Sequence, residues 1–363
     1  MTSSLFRPFG FVLFLLCVAE PTASGQTVAH YSGNGGLQGG FTEARESALQ
    51  SRRSVWFGFS VDRMSWDNSY FGREDDEPSL SDVVFGRTAV PVEEDVRTAA
   101  RNEIDRLEGN RSQQKVHRPV ALLLSVGSHG DLQKVKISDM DRPVELDGDP
   151  LFWGGTTSQD EAAEFAGRIR QSSEVAAVRE DAVTFVGLLD ESERAKAVLA
   201  DALSEDRSDD VRKQAVFWIG KRGTADALSV VLKTVRSDQS EDVRAHAVFV
   251  LSRFDRDDTI DLLLDVARSA KSDQVAGAAS FWAGRLLSKK LFGDEGSDDE
   301  MDRVRKQALY ALVGDPDESV GVLVDLARNG SSSGVRRQAV FMLGQSHSAE
   351  ALDALKSLAA RGR

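Results

Sequence analysis

Cysteine is almost absent from this chain of 363 residues, which contains only Cys17. That cysteine lies inside the apolar run 9–19 near the N-terminus. If this run is removed, the remaining chain has no disulfide, no thiolate ligand for a metal and no cysteine nucleophile. Such a chain must be held together by packing and polar contacts alone.

Histidine is also scarce, and common metal-binding motifs are missing. The five histidines are scattered through the chain: His30, His117, His129, His246 and His347. Because HExxH and CxxC motifs are lacking and no histidine has a partner at ligand spacing, the sequence predicts no catalytic site, no metal site and no cofactor. His129 and His246 are expected to be surface residues.

Two segments resemble ligand-binding loops only in composition. Residues 32–40, SGNGGLQGG, have no predicted strand before them, no predicted helix after them and no lysine of a phosphate-binding loop. The acidic loop 294–302 suits calcium by charge, but it lacks the alternating ligand register of an EF-hand. A solvated acidic loop is the favoured interpretation, and calcium binding stays open.

The chain has no excess of basic residues either. Its net charge is −13 at neutral pH. A protein that binds nucleic acid needs a cationic surface that displaces counterions from phosphates. The predicted partners therefore do not include nucleic acid.

Long hydrophobic runs are missing, since none reaches the roughly 20 residues that span a bilayer. The N-terminus has one arginine, the apolar run and then the small residues Ala23, Ser24 and Gly25. This order is typical of a cleaved secretory signal. We expect residues 1–25 to be a signal peptide and the protein to be periplasmic or extracellular. After cleavage, no integral membrane segment is expected.

The first half of the remaining chain is irregular. Residues 26–50 are rich in Gly, Ser and Gln and predict a flexible leader. Residues 51–155 predict a small α+β or β-rich domain. Its predicted strands are 54–61, 119–126, 132–138 and 142–148, with a helix at 93–109, a turn at 127–131 and a junction at 149–155.

The second half, 156–363, repeats itself. Six similar segments begin at Val178, Val211, Val243, Val275, Val304 and Val335, at intervals of 33, 32, 32, 29 and 31 residues. The second reads VRKQAVFWIGK and the sixth VRRQAVFMLGQ. This period with helical patterning predicts an α-solenoid. The fold class is therefore mainly α, with about six helix pairs after a small N-terminal domain.

One interval is irregular. Between Val275 and Val304 no second helix is evident, and the acidic loop takes its place. Repeats in a solenoid contact only their neighbours, so a missing helix weakens the array locally. We expect a kink or a short helix here, and low protection from hydrogen exchange at 289–303.

Position 7 of the motif, counted from the valine, is unusual. Positions 1, 5, 8 and 9 form the apolar face, and position 7 lies about 145° from its centre. Position 7 is nevertheless aromatic in five copies: Phe217, Phe249, Phe281, Tyr310 and Phe341. One turn earlier, at position 3, are Lys213, Lys306 and Arg337. Either these residues form a partner-binding stripe, or the rings pack between adjacent repeats.

The segments DDVRKQAVFWIG and SGVRRQAVFMLG, each with its preceding helix, resemble HEAT repeats. They are similar to the short bacterial type also found in phycobilisome-lyase-like domains, and to exported bacterial HEAT-repeat proteins. The resemblance implies that the Val-Arg helices line a concave surface. It also implies a ladder of turn acids with the position 2 arginines, which are Arg179, Arg212, Arg244, Arg305 and Arg336. Ala276 replaces this arginine in the fourth copy, so the ladder is expected to break there.

These observations favour an exported, non-enzymatic scaffold that binds a protein or an extended peptide on the solenoid. The alternative is an enzyme or accessory subunit directed at carbohydrate or peptide. Its site would lie in residues 51–155, near Trp56, Trp66, Asp62 and Asp67. A chromophore lyase or chaperone is a third possibility by analogy, and export argues against it.

The signal peptide gives the first testable prediction. The intact mass of the exported protein should correspond to a chain that begins at or near Gln26, because signal peptidase cleaves after small residues. A cytoplasmic protein that retains residues 9–19 would contradict it.

Overall fold

The computed structural model describes residues 20–21, 26–66, 79–85, 115–190, 192–292, 319–330, 333–346 and 348–361. The chain divides into two compact units, Met1–Phe165 and Ala166–Arg363. The division falls inside helix α3 (Gln159–Ser172), ten residues after the predicted boundary at 155. A mainly helical unit preceded by a smaller α+β unit is confirmed.

The first unit contains a mixed sheet with helices. Its strands are β1 (Glu20–Pro21), β2 (Thr27–His30), β3 (Val55–Val61), β4 (Met64–Trp66), β5 (Lys115–His117), β6 (Val120–Val126), β7 (Leu132–Asp139) and β8 (Leu151–Thr157). Its helices are α1 (Gly36–Ser51), α2 (Leu80–Phe85) and the first half of α3. The main sheet has the order β1-β2-β8-β3-β6-β7, and β4 pairs with β5 separately.

The centre of the sheet is buried on both faces. Strand β3 runs antiparallel to β6 and parallel to β8, and every residue of β3 and β6 is buried. On one face Phe57 and Phe59 pack against Phe165 at centroid distances of 5.9 and 5.5 Å. On the other face Trp56 and Trp153 form the core with α2. The predicted strands at 54–61, 119–126 and 132–138 are therefore confirmed.

The prediction of a flexible leader at 26–50 is wrong. These residues form β2, which pairs with β8, and most of α1. The small residues of α1 are the reason, because Gly40, Ala44 and Ala48 are buried and let the helix approach the sheet closely. A Cβ atom at Gly40 would lie 2.7 Å from Cε2 of Phe57. Glycine here serves packing and not flexibility.

Two further expectations for this unit are also wrong. Residues 149–155 are not a junction, since β8 lies between β2 and β3 inside the sheet. Residues 142–148 form no strand, because Leu146 turns into the core and its carbonyl accepts a hydrogen bond from Nε1 of Trp56 at 3.0 Å. The predicted turn at 127–131 is present, with Gly130 at φ +76°. The predicted helix at 93–109 lies outside the described residues.

The second unit alternates two kinds of helix. The Val-Arg helices, which carry the repeat motif, are α4 (Ala176–Gly187), α6 (Asp209–Lys221), α8 (Glu241–Leu251), α10 (Asp273–Phe292) and α12 (Ser333–Gln345). The linking helices are α5 (Glu193–Glu205), α7 (Ala225–Ser237), α9 (Thr259–Ser269), α11 (Val320–Asn329) and α13 (Ala349–Arg361). The fifth motif copy lies outside the described residues. Of the described helices, none is both long and apolar enough to cross a membrane.

The position 2 arginine makes the same backbone contact in four copies. Its Nη1 atom donates to the carbonyl six residues earlier, where the preceding helix has ended. These bonds are Arg179 to Ser173 (3.3 Å), Arg212 to Asp206 (2.8 Å), Arg244 to Asp238 (2.6 Å) and Arg336 to Gly330 (2.7 Å). The last carbonyls of a helix lack intrahelical partners, so each arginine satisfies one of them.

Two of these arginines also reach an acid of the next repeat. Nε of Arg179 lies 3.1 Å from Oδ2 of Asp206, and Nε of Arg212 lies 3.2 Å from Oδ2 of Asp238. Arg170 of α3 shares Asp206 at 3.4 Å. In the next repeat Ala270 occupies the position of these acids, and Ala276 replaces the following arginine. Among the described residues, the series of pairs between a position 2 arginine and an acid of the next repeat therefore ends with Arg212 and Asp238, while Arg268 and Asp353 of two linking helices form a separate, exposed pair at 2.6 Å.

The array also changes direction at the fourth copy. Contacts between earlier Val-Arg helices join equivalent ends, as in Gln274 to Asp242 at 2.7 Å. The helices α10 and α12 instead run in opposite directions. The hydroxyl of Ser280 donates to the carbonyl of Ser346 (3.5 Å), whereas that of Ser288, farther along α10, donates to the carbonyl of Arg337, farther back in α12 (2.9 Å). The sixth copy thus packs antiparallel against the fourth.

Helix α10 is longer than expected. It continues to Phe292, so residues 289–292 are helical, and their low protection from hydrogen exchange stays a prediction. The cause is the packing against α12, which buries Leu287 and Ser288, while Nη2 of Arg337 donates to the carbonyl of Phe292 at 3.0 Å. Residues 293–303 lie outside the described residues, and their low protection from exchange stays a prediction.

The ion pairs of Asp206 with Arg170 and Arg179 predict that Asp206→Asn lowers the free energy of unfolding substantially. The side chains of Asp206, Arg170 and Arg179 are at most 6% exposed. Removal of the charge leaves two buried guanidinium groups without their carboxylate, which typically costs about 3–5 kcal/mol. Urea unfolding at pH 7 should show this loss. Asp210→Asn, which affects only an exposed pair with Lys213, should cost less than about 1 kcal/mol.

The same variant should reveal a pH dependence. Burial acts to raise the pKa of Asp206, but the backbone N–H of Ser208 and the two arginines outweigh it and lower that pKa. A carboxyl with a lowered folded pKa contributes fully above its unfolded pKa of about 3.9 and loses this contribution as pH falls through the folded pKa. The stability gap between wild type and Asp206→Asn should therefore narrow below about pH 4. A difference in free energy of unfolding between the two proteins that is constant with pH would contradict the lowered pKa of Asp206.

The antiparallel contact gives a third prediction. A Cβ atom at Gly284 would lie 2.6 Å from Cα of Gly344, which is too close for backbone atoms. Gly284→Ala should therefore destabilise the protein by about 1–3 kcal/mol, as overpacking does, although alanine favours helix. Gly321→Ala is the control, since no atom lies within 4 Å of its added Cβ. Equal melting temperatures of the two variants would argue against the contact.

Candidate functional site

The Val-Arg helices bury most of their circumference. In α6 the buried residues are at positions 1, 2, 5, 6, 8, 9 and 10 of the motif, and α4 shows the same pattern. Positions 3, 4, 7 and 11 remain more accessible and fall on one arc of the helical wheel. We call this the open arc. Position 7 lies near its middle, so the four described phenylalanines lie on the accessible side of their motif helices.

The aromatic rings of the open arc contact one another across repeats. Phe217, Phe249, Phe281 and Phe341 are all partly buried. Phe249 lies 5.2 Å from Trp282 of the next repeat, and Phe281 lies 5.6 Å from Phe341. The two predicted roles are thus compatible for Phe249, Phe281 and Phe341, because each of these rings packs against a neighbouring repeat and keeps a solvent-accessible part. The contacts join Phe249, Trp282, Phe281 and Phe341 into one aromatic row.

A basic residue follows each of three rings by one helical turn. Lys221, Arg253 and Arg285 occupy position 11 and are exposed. Each cation lies over an aromatic ring: Lys221 over Trp218 at 4.4 Å, Arg253 over Phe249 at 5.8 Å and Arg285 over Trp282 at 5.4 Å. Sequence reasoning missed these residues and Trp282. A helical wheel extended by one turn would have placed position 11 beside position 7.

The position 3 cations named from the sequence are engaged elsewhere. Lys213 pairs with Asp210 of its own helix at 3.3 Å. Arg337 donates to the carbonyl of Phe292 and so holds α10 against α12. Lys306, Tyr310 and Arg305 lie outside the described residues. Of the two described cations, neither presents an uncommitted charge to a partner.

His246 lies on the open arc at position 4. Its ring is 5.6 Å from that of Phe249 and is half-buried, although the sequence predicted a surface residue. Burial, and secondarily the charge of Lys213, lower the pKa of His246. The ring is therefore neutral at pH 7 and extends the aromatic row. His129, in the turn of the first unit, is exposed as predicted.

Of the four side chains named for the alternative site in residues 51–155, the two that are described do not share a surface. Trp56 is completely buried in the sheet core, whereas Asp62 is exposed. Trp66 lies in β4, and Asp67 lies outside the described residues, as does the acidic loop 294–302. Within the described part of the chain, no group of three or more His, Cys, Asp or Glu side chains is arranged to hold a metal ion.

Comparison with known proteins agrees with the geometry of the second unit. A search of curated proteins found no match for the chain. A family model for HEAT repeats does match, over residues 196–281. This stretch extends from α5 to Phe281 in α10 and includes three of the four described position 7 phenylalanines. Residues 196–281 of this chain are HEAT repeats, which suggest a scaffold for protein interactions.

Proposed function

We propose that this protein is an exported, non-enzymatic scaffold that binds a protein segment along the open arc of its Val-Arg helices. The aromatic row carries the proposal. Export is inferred from the signal-like order of the first 25 residues. The matched HEAT repeats support a protein partner, and the row is the surface to which we assign its binding.

Aromatic side chains dominate the binding energy of many interfaces. The rings of Phe249, Phe281 and Phe341 are held by contacts with neighbouring rings or cations, so little conformational freedom remains for binding to remove. Loss of side-chain freedom is a major cost of association. A pre-ordered row of partly exposed rings is therefore well suited to bind a partner.

The spacing of the row favours an extended segment. Packed helices lie about 8–10 Å apart, and an extended chain in the polyproline II conformation advances about 3.1 Å per residue with three residues per turn. One repeat therefore corresponds to about three residues of an extended partner. Apolar side chains at every third position would meet successive rings. Because Lys221, Arg253 and Arg285 are exposed beside the rings, acidic residues next to the apolar ones would be favoured.

The alternative of an enzyme in the first unit receives no support from its tryptophan cluster, since core packing accounts for Trp56. The non-enzymatic role nevertheless stays part of the proposal.

Selection of peptides tests the proposal without knowledge of the natural partner. A display library of 12-residue peptides selected on the full chain should yield apolar residues three apart with acidic neighbours. The double variant Phe217→Ser and Phe249→Ser should lose at least about ten-fold in affinity for these peptides. A fully buried phenylalanine costs about 3–5 kcal/mol on truncation, so these half-buried rings should cost clearly less stability.

The control is Val322→Ser on linking helix α11. Val322 is 58% exposed and belongs to a linking helix, so its loss should change neither peptide affinity nor melting temperature. Peptides that bind the double variant as tightly as the wild type would refute the proposal. Collapse of the double variant would show that the rings are structural.

A further inference from the structure

A cavity of about 250 Å³ opens where the fourth and sixth repeats meet. Its lining residues are Ala267, Asp273, Ala276, Gly277, Ser280, Ser346 and Leu352. Most of these side chains are small or absent, which is why space remains between the helices. A volume below the roughly 300–1,000 Å³ of clefts for drug-sized ligands suits a single side chain.

The cavity lies at the place where the ladder arginine is missing. In intact repeats the acid two residues before the valine pairs with this arginine. Arg212 lies 2.8 Å from Asp209, and Arg244 lies 3.3 Å from Glu241. The equivalent acid of the fourth repeat is Asp273, but the arginine position is occupied by Ala276. Both residues line the cavity, so a carboxylate remains where its guanidinium partner has been replaced by a methyl group.

The remaining walls also suit an arginine side chain. Ala267 and Leu352 offer apolar surface for a methylene stem, as snorkelling side chains require. Ser280 and Ser346 add hydroxyl groups to the lining. The backbone offers a second acceptor near the cavity. It is the carbonyl of Ala270, six residues before Ala276. In intact repeats this carbonyl accepts the Nη1 hydrogen of the arginine.

We propose that this cavity binds the guanidinium group of an arginine side chain that a partner supplies. Asp273 accepts its hydrogen bonds, and the partner's arginine takes the place that Arg212 and Arg244 take in their own repeats. A planar guanidinium fits a carboxylate better than the point charge of lysine. Gly277 lies one helical turn before Phe281, so the cavity borders the open arc. The proposed scaffold function enters only as the source of the arginine.

The test uses the full chain and the tripeptide Gly-Arg-Gly. Titration should shift the NMR signals of the Gly277 and Ser280 amides, and Gly-citrulline-Gly should bind at least about five-fold more weakly because it lacks the charge. Asp273→Asn should weaken Gly-Arg-Gly binding by a similar factor. Asp265→Asn removes an exposed charge outside the cavity lining and should leave binding unchanged.

The variant Ala276→Arg supplies the missing side chain within the chain itself. It should abolish binding of Gly-Arg-Gly and leave the melting temperature equal or higher. Undiminished binding to Ala276→Arg or to Asp273→Asn would overturn the proposal, as would equal affinity for the citrulline peptide or the absence of any NMR shift.

Free L-arginine serves as a second titrant. If it binds at least ten-fold more tightly than the tripeptide, the cavity is a site for the amino acid and not for a peptide side chain. None of these measurements depends on the position 7 rings, so failure here is separable from failure of the scaffold proposal.

Discussion

The position 2 arginine makes the contact that recurs in four described repeats of the second unit: it binds the end of the preceding helix, and in Arg179 and Arg212 it also binds an acid of the next repeat. A helix end leaves carbonyl groups without partners, and a buried guanidinium requires several acceptors. The guanidinium therefore donates to the unpaired carbonyl group, and that carbonyl is one of the acceptors that the guanidinium requires. In Arg212 one side chain reaches the carbonyl of Asp206 and the carboxylates of Asp209 and Asp238, so it links elements of two repeats. Repeats that contact only neighbours depend on such links.

The fourth repeat shows what replaces this link. Ala270 and Ala276 remove both the acid and the arginine. The next described motif helix then packs antiparallel, through the backbone contact of Gly284 with Gly344 and the hydrogen bond from Arg337 to the carbonyl of Phe292. Close approach of two helices at glycine gains dispersion contacts over a wide area. An unfilled volume remains beside Asp273, where the small residues Ala276 and Gly277 line the cavity.

The sequence predicted best those features that depend on local periodicity. The strands 54–61, 119–126 and 132–138 and the described motif helices were found because alternation and repetition report which residues face inward. Composition misled at residues 26–50, since Gly40 serves a close approach to Phe57 that no local pattern records. The extension of α10 and its reversal against α12 were equally hidden, because both depend on contacts between residues about 50 to 65 positions apart. The cavity follows from that reversal, so Asp273 could not be singled out in advance.

Position 7 shows how one constraint yields two properties. A solenoid helix packs on its linking helix and on two neighbouring motif helices, which buries positions 5, 6 and 8 to 10 and leaves only a narrow open arc. A side chain in the middle of that arc can reach the neighbouring repeat only if it is large. Phe249 does so through Trp282, and Phe281 does so through Phe341. The length that lets each ring bridge two repeats also keeps part of it in solvent. Inter-repeat packing and an accessible aromatic surface are therefore consequences of the same geometry, and the basic residues at position 11 add charge to a surface that packing has already fixed.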